Sequence, residues 1–355
     1  MVLLFYVFIK FFETVSTGSG IIMTFKTKLY LALLCIAIAL APHPAALAAK
    51  VIVKEYSTIT AGLYSEDKKL SRVALRKFFL NGRPYYLAVN PVTLDTELVP
   101  VGRYHAAKNS LGYLRSTYNN LPYFRAMILA ESNSSRMRNA GIIHIPRGGP
   151  GIVITADLCP AKMPLDRRIF TRLISDYGPA HKPIPLALAL SGIWMDKHPD
   201  DVVWLRNLVI KNEFRITWIN HTYHHAYYKR IPWWNNFLLD KKVKASDEII
   251  HNEITLLESG LVPSVFFRFP GLISNKELFR QVTEYGLIPI GSDAWLGKKQ
   301  WPENGSIILV HANGQEPAGI KRFLWLLGNK KGDITAGRWV FSDLRNGLSR
   351  AMKMN

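Results

Sequence analysis

The sequence predicts an α/β protein in which a parallel sheet or barrel follows a small β-rich or α+β module. From Gly148-Gly149-Pro150 onward, apolar segments recur and alternate with helical runs, the order that produces parallel strands joined by helices. Before that point, short strand-like segments are broken by Asn-Gly, Asn-Pro and Pro signals, which are typical of turns between β-strands. With 355 residues and 48% hydrophobic content, the chain is long enough for two globular domains.

Residues 1–48 are predicted to be a leader. Its pattern is that of a signal peptide that begins at Met23, with a basic start, an apolar core and a cleavage site, namely Lys26 and Lys28, Leu29–Leu40, and Ala46-Leu47-Ala48. Residues 1–22 are then an upstream extension of the reading frame. A membrane anchor is the alternative, but the apolar core is short for a full span. The sequence therefore predicts export, to the periplasm or outside the cell.

Composition constrains the partners more than the activity. The net charge of +19 favours anionic partners such as an envelope surface or an acidic glycan. The basic residues are scattered and no nucleic-acid-binding motif is present, so no nucleic-acid partner is expected. Once the leader is removed, Cys159 is the one cysteine left, which excludes an intramolecular disulfide in spite of the oxidising destination.

Residues 49–147 are predicted to form the N-terminal module, whose role is unknown. Val51–Tyr56 alternates weakly as a strand would, Phe78–Val101 contains two or three short strands, and a helix is expected around Tyr123–Glu131. No catalytic constellation occurs here. The module's many tyrosines suit stacking on sugars, although aromatic residues at this density are more often part of a core.

Residues 148–355 are predicted to form the catalytic domain. The expected strands are Gly151–Thr155, Pro185–Leu190, Phe214–Ile219, Ser264–Phe269, Leu287–Gly291 and Ser306–Val310, and the expected helices are Leu165–Tyr177, Asp200–Lys211 and Ala245–Ser259. No glycine-rich phosphate loop follows the first strand, which argues against nucleotide binding.

The stretch with the clearest chemistry is Trp218–His225. His221 and His225 are spaced i, i+4, and in a helical turn this spacing would put both imidazoles on one face, where they could bind one metal ion. Thr222 stands where a zinc protease would carry Glu, so that class is excluded. The alternative is the start of a helix with surface histidines and Thr222 as part of its cap.

Several polar or aromatic side chains follow directly after predicted strands. They are Asp157, His221, His225, Arg268, Asp293, Trp295 and His311. The carboxyl ends of parallel strands form the rim on which barrel enzymes build their sites. We therefore expect these residues to share one site.

In this pattern the sequence resembles the polysaccharide deacetylases of the NodB homology type, over roughly residues 149–312. Each of that family's five motifs has a counterpart in order: Ile154–Pro160 for T-F-D-D-G-P, Asn220–His225 for H-[ST]-x-x-H, Arg268–Gly271 for R-x-P, Ser292–Trp295 for the Asp/Trp motif, and Leu309–His311 for L-x-H. The second motif is the specific one, while the others gain weight from their order and spacing.

The resemblance implies a distorted (β/α) barrel and a metal-dependent hydrolase that removes N- or O-linked acetyl groups from an acetylated glycan. It implies that His221 and His225 bind Zn²⁺ or another divalent ion. Carried over in the same way, Asp157 would be the general base, Arg268 would orient it, and His311 would be the general acid with Asp293 tuning it. Trp295 and Leu309 would line the acetyl pocket, and Pro270 would lie on the substrate side.

Two departures from the family pattern matter. Leu158 occupies the place of a second Asp that binds the metal, which leaves the third protein ligand open between Asp157, Cys159 and an extra water; a small buried hydrophobic residue is the preferred interpretation of Cys159. Ala294 separates Asp293 from Trp295, which the family often has adjacent. The first departure sustains an alternative function, an inactive deacetylase-like protein that binds glycan or serves as an envelope scaffold. The aromatic loop 227–234 would either close over a sugar ring or pack against the N-terminal module.

Overall fold

The computed structural model describes residues 51–354, and the predicted leader of residues 1–48 lies outside this range. The described chain begins with an antiparallel sheet of strand order β4-β3-β2-β1-β5, built from β1 (Val53–Tyr64), β2 (Leu70–Leu80), β3 (Arg83–Val89), β4 (Thr96–Pro100) and β5 (His105–Lys108). The predicted break at Asn81-Gly82 is a two-residue hairpin turn, since Leu80 pairs with Arg83 and both turn residues have positive φ.

Two helices complete this module. Helix α1 (Leu111–Thr117) begins after Ser110, whose hydroxyl accepts a hydrogen bond from the Tyr113 amide. Helix α2 (Pro122–Glu131) begins with a proline at its first position and confirms the expected helix. The predicted β-rich module is therefore present, with its first strand longer than the sequence pattern indicated.

A parallel sheet forms the second part of the fold. Its strands are β6 (Gly151–Leu158), β7 (Ile184–Leu190), β8 (Phe214–Asn220), β9 (Phe266–Phe267), β10 (Ile288–Pro289), β11 (Ala294–Trp295), β12 (Ile307–His311) and β13 (Val340–Phe341), in the order β10-β9-β8-β7-β6-β12-β11, with β13 paired to β6. The helices are α3 (Arg168–His181), α4 (Gly192–Lys197), α5 (Pro199–Ile210), α6 (Ala245–Glu258), α7 (Lys276–Glu284), α8 (Pro317–Thr335) and α9 (Leu344–Lys353). Strands alternating with helices predicted this arrangement, and the α/β prediction is confirmed.

The sheet is curled but does not close into a complete barrel. Strands β10 and β11 are its two ends, and no ladder within residues 51–354 joins them. Single bridges from Ile142 to Ile290 and from His144 to Ser306 connect the chain before β6 to the strands on either side of this opening. The last residues of the predicted N-terminal module therefore lie against the parallel sheet, and the boundary between residues 147 and 148 stays a prediction.

Strand β6 is buried on both faces, and its side chains alternate between two environments. Ile152, Ile154, Ala156 and Leu158 belong to one apolar cluster together with residues of α3, α5 and α8. Thr155 and Asp157 face the other way, where both contact Arg268. This alternation decides which residues of the first motif reach the site.

The antiparallel module is joined to the parallel sheet by polar contacts as well as apolar ones. Arg76 on β2 forms a two-pronged ion pair with Glu253 on α6, through Nε–Oε2 at 2.7 Å and Nη2–Oε1 at 2.9 Å. Tyr56 donates to the same carboxylate at 2.8 Å, and Tyr123 donates to the Gly286 carbonyl at 2.6 Å.

Among residues 51–354, no helix combines the length and apolar content needed to cross a membrane.

Candidate metal centre and active site

Six of the nine predicted site residues line one cleft of about 900 Å³ at the carboxyl ends of the parallel strands. Strands β6 and β12 are neighbours in the sheet, and their register places His311 beside Asp157. The end of β8 delivers His221 to the same edge. Seven residues of chemical interest line the cleft: Asp157, Cys159, His221, His225, Trp295, Leu309 and His311.

The histidine pair is not on a helix, so the expectation of a helical turn is wrong. Thr222 and His225 have positive φ values of 65° and 49°, and the segment after β8 is irregular. The buried Asn220 holds its start, because its side-chain oxygen accepts from the Thr222 amide at 3.0 Å and from Asn252 at 2.9 Å. The two imidazole centroids are nevertheless 4.7 Å apart, so the predicted proximity of the rings is present without the helix.

Cys159, His221 and His225 bring three candidate metal-binding atoms together, all within 4.8 Å of one another. The Nδ1 of His221 lies 2.8 Å from the Arg268 carbonyl; this requires Nδ1 to carry the proton and leaves the Nε2 lone pair free. That Nε2 lies 3.5 Å from Cys159 Sγ. His225 Nε2 is buried without a hydrogen-bond partner among the described residues. Two imidazoles and a thiol are a zinc-type donor set, so the residues fit a divalent ion.

The electrostatics of this cluster favour an ionised thiol. Burial alone would raise the pKa of Cys159, but the His225 and His221 imidazoles, when protonated, outweigh that effect and hold the pKa well below its ordinary value. Burial disfavours the charged form of His225, whereas the neighbouring thiolate favours it, and the net effect raises the His225 pKa. A metal ion binds the thiolate and neutral imidazoles, so it would take the place of the imidazole protons beside this sulfur. Cys159 is thus buried, as expected, but its sulfur belongs to the site.

Asp157 is held by Arg268 as the resemblance implied. Arg268 is fully buried, and its Nη1 donates to Asp157 Oδ1 and to Thr155 Oγ1, each at 2.7 Å. Its Nη2 donates to the Gly291 carbonyl at 3.0 Å. Burial opposes ionisation of Asp157, but the charges of Arg268 and the nearby histidines prevail and lower its pKa. Asp157 is therefore a carboxylate fixed in one orientation, with Oδ2 at 3.8 Å from His221 Nε2.

Asp293 does not tune His311, so that expectation is corrected. Its Oδ2 lies 2.7 Å from His144 Nδ1 and accepts from the Ser306 hydroxyl at 3.1 Å, and its Oδ1 accepts from the Ile307 amide at 3.1 Å. These contacts hold Asp293 at the amino-terminal end of β12, whereas His311 ends that strand. Asp293 thus helps to fix the opening of the sheet.

Glu316, which the sequence reading did not single out, takes the place beside His311. Its Oε2 is 3.2 Å from His311 Nδ1 and accepts from Trp295 Nε1 at 2.8 Å. Burial alone would lower the pKa of His311, but its hydrogen bonds with Cys159 and Glu316 raise it to about 10. The Glu316 carboxylate favours the protonated form of His311, which is the form that can donate a proton. A carboxylate five residues after a strand-end His was the only signal in the sequence.

The three predicted substrate-contact residues differ in their placement. Trp295 and Leu309 line the cleft, with the Trp295 ring 5.7 Å from that of His311. Pro270 is buried and begins the short 3₁₀ turn Pro270–Leu272; Gly271 and Leu272 line the cleft in its stead. The role expected of Pro270 is thus corrected, since the proline shapes the turn that presents its neighbours.

The aromatic loop forms part of the cleft wall. Tyr227 and Tyr228 line the cleft and are 59% and 51% exposed, and the ring of Tyr227 stacks on Phe237 at 5.3 Å. Trp233 instead packs against Arg138, whose guanidinium lies 4.2 Å from the ring centroid. His224, which precedes this loop, is tied to the Glu248 carboxylate, 2.7 Å from its Nδ1. The loop therefore offers aromatic surface to the cleft and also contacts the chain that precedes β6.

Comparisons with known proteins identify one matching family model and several similar solved structures. A family model described as the RP012 protein N-terminal domain matches residues 54–124. One similar solved structure is a family 4 carbohydrate esterase from Bacillus anthracis, with 17% sequence identity, a TM-score of 0.44 and coverage of 63% of this chain and 91% of that chain. The family 4 carbohydrate esterase PdaA from Bacillus subtilis has 13% identity, a TM-score of 0.44 and coverage of 63% of this chain and 88% of its own. A CE4 family pseudoenzyme from Bacillus anthracis has 13% identity, a TM-score of 0.38 and coverage of 56% of this chain and 66% of its own.

Proposed function

We propose that this protein is a metal-dependent hydrolase that removes acetyl groups from an acetylated sugar polymer. The observation that carries the proposal is the arrangement of one cleft. A buried carboxylate, Asp157, and an imidazole, His311, lie in the same cleft as the donor atoms of His221 and His225. Hydrolysis of an amide or ester needs a base, an acid and a group that polarises the carbonyl.

Each residue has one task in this reaction. When bound by His221 and His225, a divalent ion such as Zn²⁺ supplies Lewis-acid polarisation of the acetyl carbonyl and increases the acidity of water. Asp157 accepts the proton of the attacking water, and Arg268 keeps its carboxylate ionised and correctly aimed. His311 gives a proton to the leaving amine or alcohol, held for that step by Glu316. Trp295 and Leu309 surround the acetyl methyl group.

The cleft wall suits a sugar substrate. Exposed tyrosine faces such as those of Tyr227 and Tyr228 stack well on sugar rings, and both border the cleft. Lys242, Lys244, Asp247 and Glu248 line it as well, and they offer both donors and acceptors to the polar groups of a glycan. We infer that the substrate is a polymer long enough to extend from the acetyl pocket across these tyrosines.

A second candidate is an inactive scaffold that binds glycan without hydrolysis. Leu158 favours this candidate, because the residue at its position would normally supply a carboxylate to the ion. The buried base with its guanidinium partner favours the enzyme, since a binding protein has no use for a proton acceptor and a proton donor on the same cleft.

We also propose export of the mature chain, with cleavage near Ala49 or Lys50 after the signal-peptide pattern of residues 23–48. A net charge of +19 would then favour peripheral contact with an anionic envelope surface. Amino-terminal sequencing of the exported protein tests this cleavage.

The decisive experiment measures bound zinc and acetate release together. Purified protein is expected to hold about one equivalent of zinc and to release acetate from acetylated glycans. Replacing both His221 and His225 with Ala should abolish the two signals, because the remaining donors cannot hold the ion alone. The control replaces His105, an exposed residue of β5 in the antiparallel sheet, and should retain both. Stoichiometric zinc in the His221/His225 double variant would refute the proposed centre.

A further inference from the structure

The ion proposed above still lacks one protein ligand, and two side chains with donor atoms lie near His221, those of Asp157 and Cys159. Leu158 follows Asp157 in the sequence but is fully buried in the apolar cluster that contains Ile169 and Phe170 of α3 and Phe323 of α8. Side chains along a strand alternate between its two faces, so β6 directs Leu158 to the helices. A carboxylate at this position would need a different path of the chain in order to reach the cleft.

One carboxylate oxygen of Asp157 is already bound by a buried guanidinium. Its Oδ1 accepts from the fully buried Arg268 at 2.7 Å, and Arg268 also fixes Thr155 and the Gly291 carbonyl. The donor atoms that approach one another within 4.8 Å are those of Cys159, His221 and His225. The carboxylate therefore lies beside the donor group and is oriented by Arg268.

Cys159 has the position and the surroundings of a ligand. It comes directly after β6, two residues beyond Asp157, and it lines the cleft. Its backbone carbonyl accepts from Asn313 Nδ2 at 2.7 Å, and the Ser191 hydroxyl donates to the preceding Leu158 carbonyl at 3.0 Å. These bonds fix the backbone on both sides of the sulfur. Its Sγ is 3.5 Å from His221 Nε2, a separation that one shared ion can bridge, because zinc lies about 2.3 Å from sulfur and about 2.0 Å from nitrogen.

We propose that Cys159 is the third protein ligand, a thiolate that completes a Cys-His-His centre in place of a carboxylate. This proposal rests on the proposed function, since it concerns the same ion. The two side chains then have different roles: the Cys159 sulfur binds the ion, and Asp157 remains free to act as the base. Thiolate ligands favour zinc and similar borderline or soft ions, whereas Mn²⁺ and Mg²⁺ prefer oxygen ligands. The centre should thus prefer Zn²⁺ or Co²⁺ over Mn²⁺ and Mg²⁺.

Cobalt substitution tests the proposal without any measurement of activity. The full chain with Cys35→Ser leaves Cys159 as its one thiol, so a sulfur-to-cobalt charge-transfer band in the near ultraviolet can come only from Cys159. We expect this band at one equivalent of Co²⁺ and its disappearance on addition of Zn²⁺. Adding Cys159→Ser should remove the band and weaken zinc binding by at least about 100-fold, the upper end of what loss of a residue behind a ligand costs.

The outcomes separate this proposal from the function on which it rests. Stoichiometric cobalt without the band in the Cys35→Ser protein refutes the thiolate ligand and leaves the two-histidine centre standing. That result does not depend on the folding of any Cys159 variant. A band that persists when His221 and His225 are both Ala would show that Cys159 binds cobalt without the histidines, and it would refute the two-histidine centre and the Cys-His-His centre. Cys35→Ser protein that binds no divalent ion would refute both proposals as well. Weak zinc binding in Asp157→Asn with normal binding in Cys159→Ser would assign the third ligand to Asp157.

Discussion

The substitution Asp157→Asn separates base catalysis from metal binding. Asparagine keeps the size of the side chain and an oxygen that can accept from Arg268 Nη1, which donates to Asp157 at 2.7 Å. It loses the negative charge and cannot take a proton at neutral pH. Loss of a general base costs on the order of 10²–10⁴-fold in rate, which corresponds to about 2.7–5.4 kcal/mol in the barrier. We expect acetate release to fall by that factor.

The same change has a smaller effect on the fold and on the ion. Removing one partner of a buried ion pair costs about 3–5 kcal/mol, and because the hydrogen bond to Arg268 persists we expect a loss of at most about 3 kcal/mol, near the lower end of that range. Bound zinc should remain at wild-type stoichiometry, because the Cys159, His221 and His225 donors are untouched. The matched control is Asp293→Asn, which alters a carboxylate held by His144 and should leave the rate within a few-fold of wild type.

Three results would refute this reasoning about Asp157. Zinc lost together with activity would make Asp157 a ligand. Activity retained in Asp157→Asn would remove it from the mechanism. A wild-type protein that releases no acetate from any acetylated glycan tested would support the scaffold alternative. Acetate and zinc are therefore measured on the same samples, with urea unfolding to confirm that the variant is folded.

Two further substitutions test the contacts of Glu316 and Arg76. Glu316→Gln removes a carboxylate that raises the pKa of His311. Activity requires protonated His311 and falls as pH rises through that pKa, so the alkaline fall in the pH–rate profile should begin at lower pH in this variant. The surface control Glu284→Gln should leave the profile unchanged, and an unshifted profile in Glu316→Gln would contradict the assigned role. Arg76→Met leaves the Glu253 carboxylate buried without its ion-pair partner, so the free energy of unfolding in urea should fall by about 3–5 kcal/mol. Arg72 is more exposed, and Arg72→Met should cost less than about 1 kcal/mol. Equal losses in the two variants would refute the expected difference between a buried and an exposed ion pair.

Much of the parallel sheet could be predicted from the sequence, because its central strands are uninterrupted apolar runs. Phe214–Ile219 was expected and β8 is Phe214–Asn220; Pro185–Leu190 was expected and β7 is Ile184–Leu190. The strands near the sheet's ends were predicted too long. β9 and β10 keep only two paired residues each, because pairing depends on a neighbouring strand and not on apolar character alone. The strand Leu70–Leu80 was missed over most of its length, since charged residues interrupt its apolar pattern.

The site was predictable where one residue acts at a strand end, and it was missed where contacts join distant segments. Asp157, His221, Arg268 and His311 all lie where the strand-end pattern put them. Asp293 was misassigned because its partner His144 comes from a segment 149 residues earlier, which no local pattern reveals. Glu316 was missed for a similar reason: the start of α8 must fold back onto β12 before its carboxylate meets His311. The irregular turn after β8 depends on hydrogen bonds to the side-chain amide of Asn220. The i, i+4 spacing of the two histidines gives no information about these bonds.

The energetics of the buried pair favour an enzyme over a scaffold. Arg268 and Asp157 are almost fully removed from solvent, and a buried ion pair often stabilises a fold no better than apolar residues of similar volume, because both charges lose their hydration. The Arg268 Nε also lacks a hydrogen-bond partner among the described residues, which adds to that cost. A scaffold would fold at least as well with an apolar pair at these positions. The cost of the buried pair is explained if an ionised Asp157 is needed close to the Cys159, His221 and His225 donors. Hydrolysis requires a fixed base close to a polarised acetyl group. With Cys159 as a ligand, the presence of Leu158 no longer argues for an inactive site.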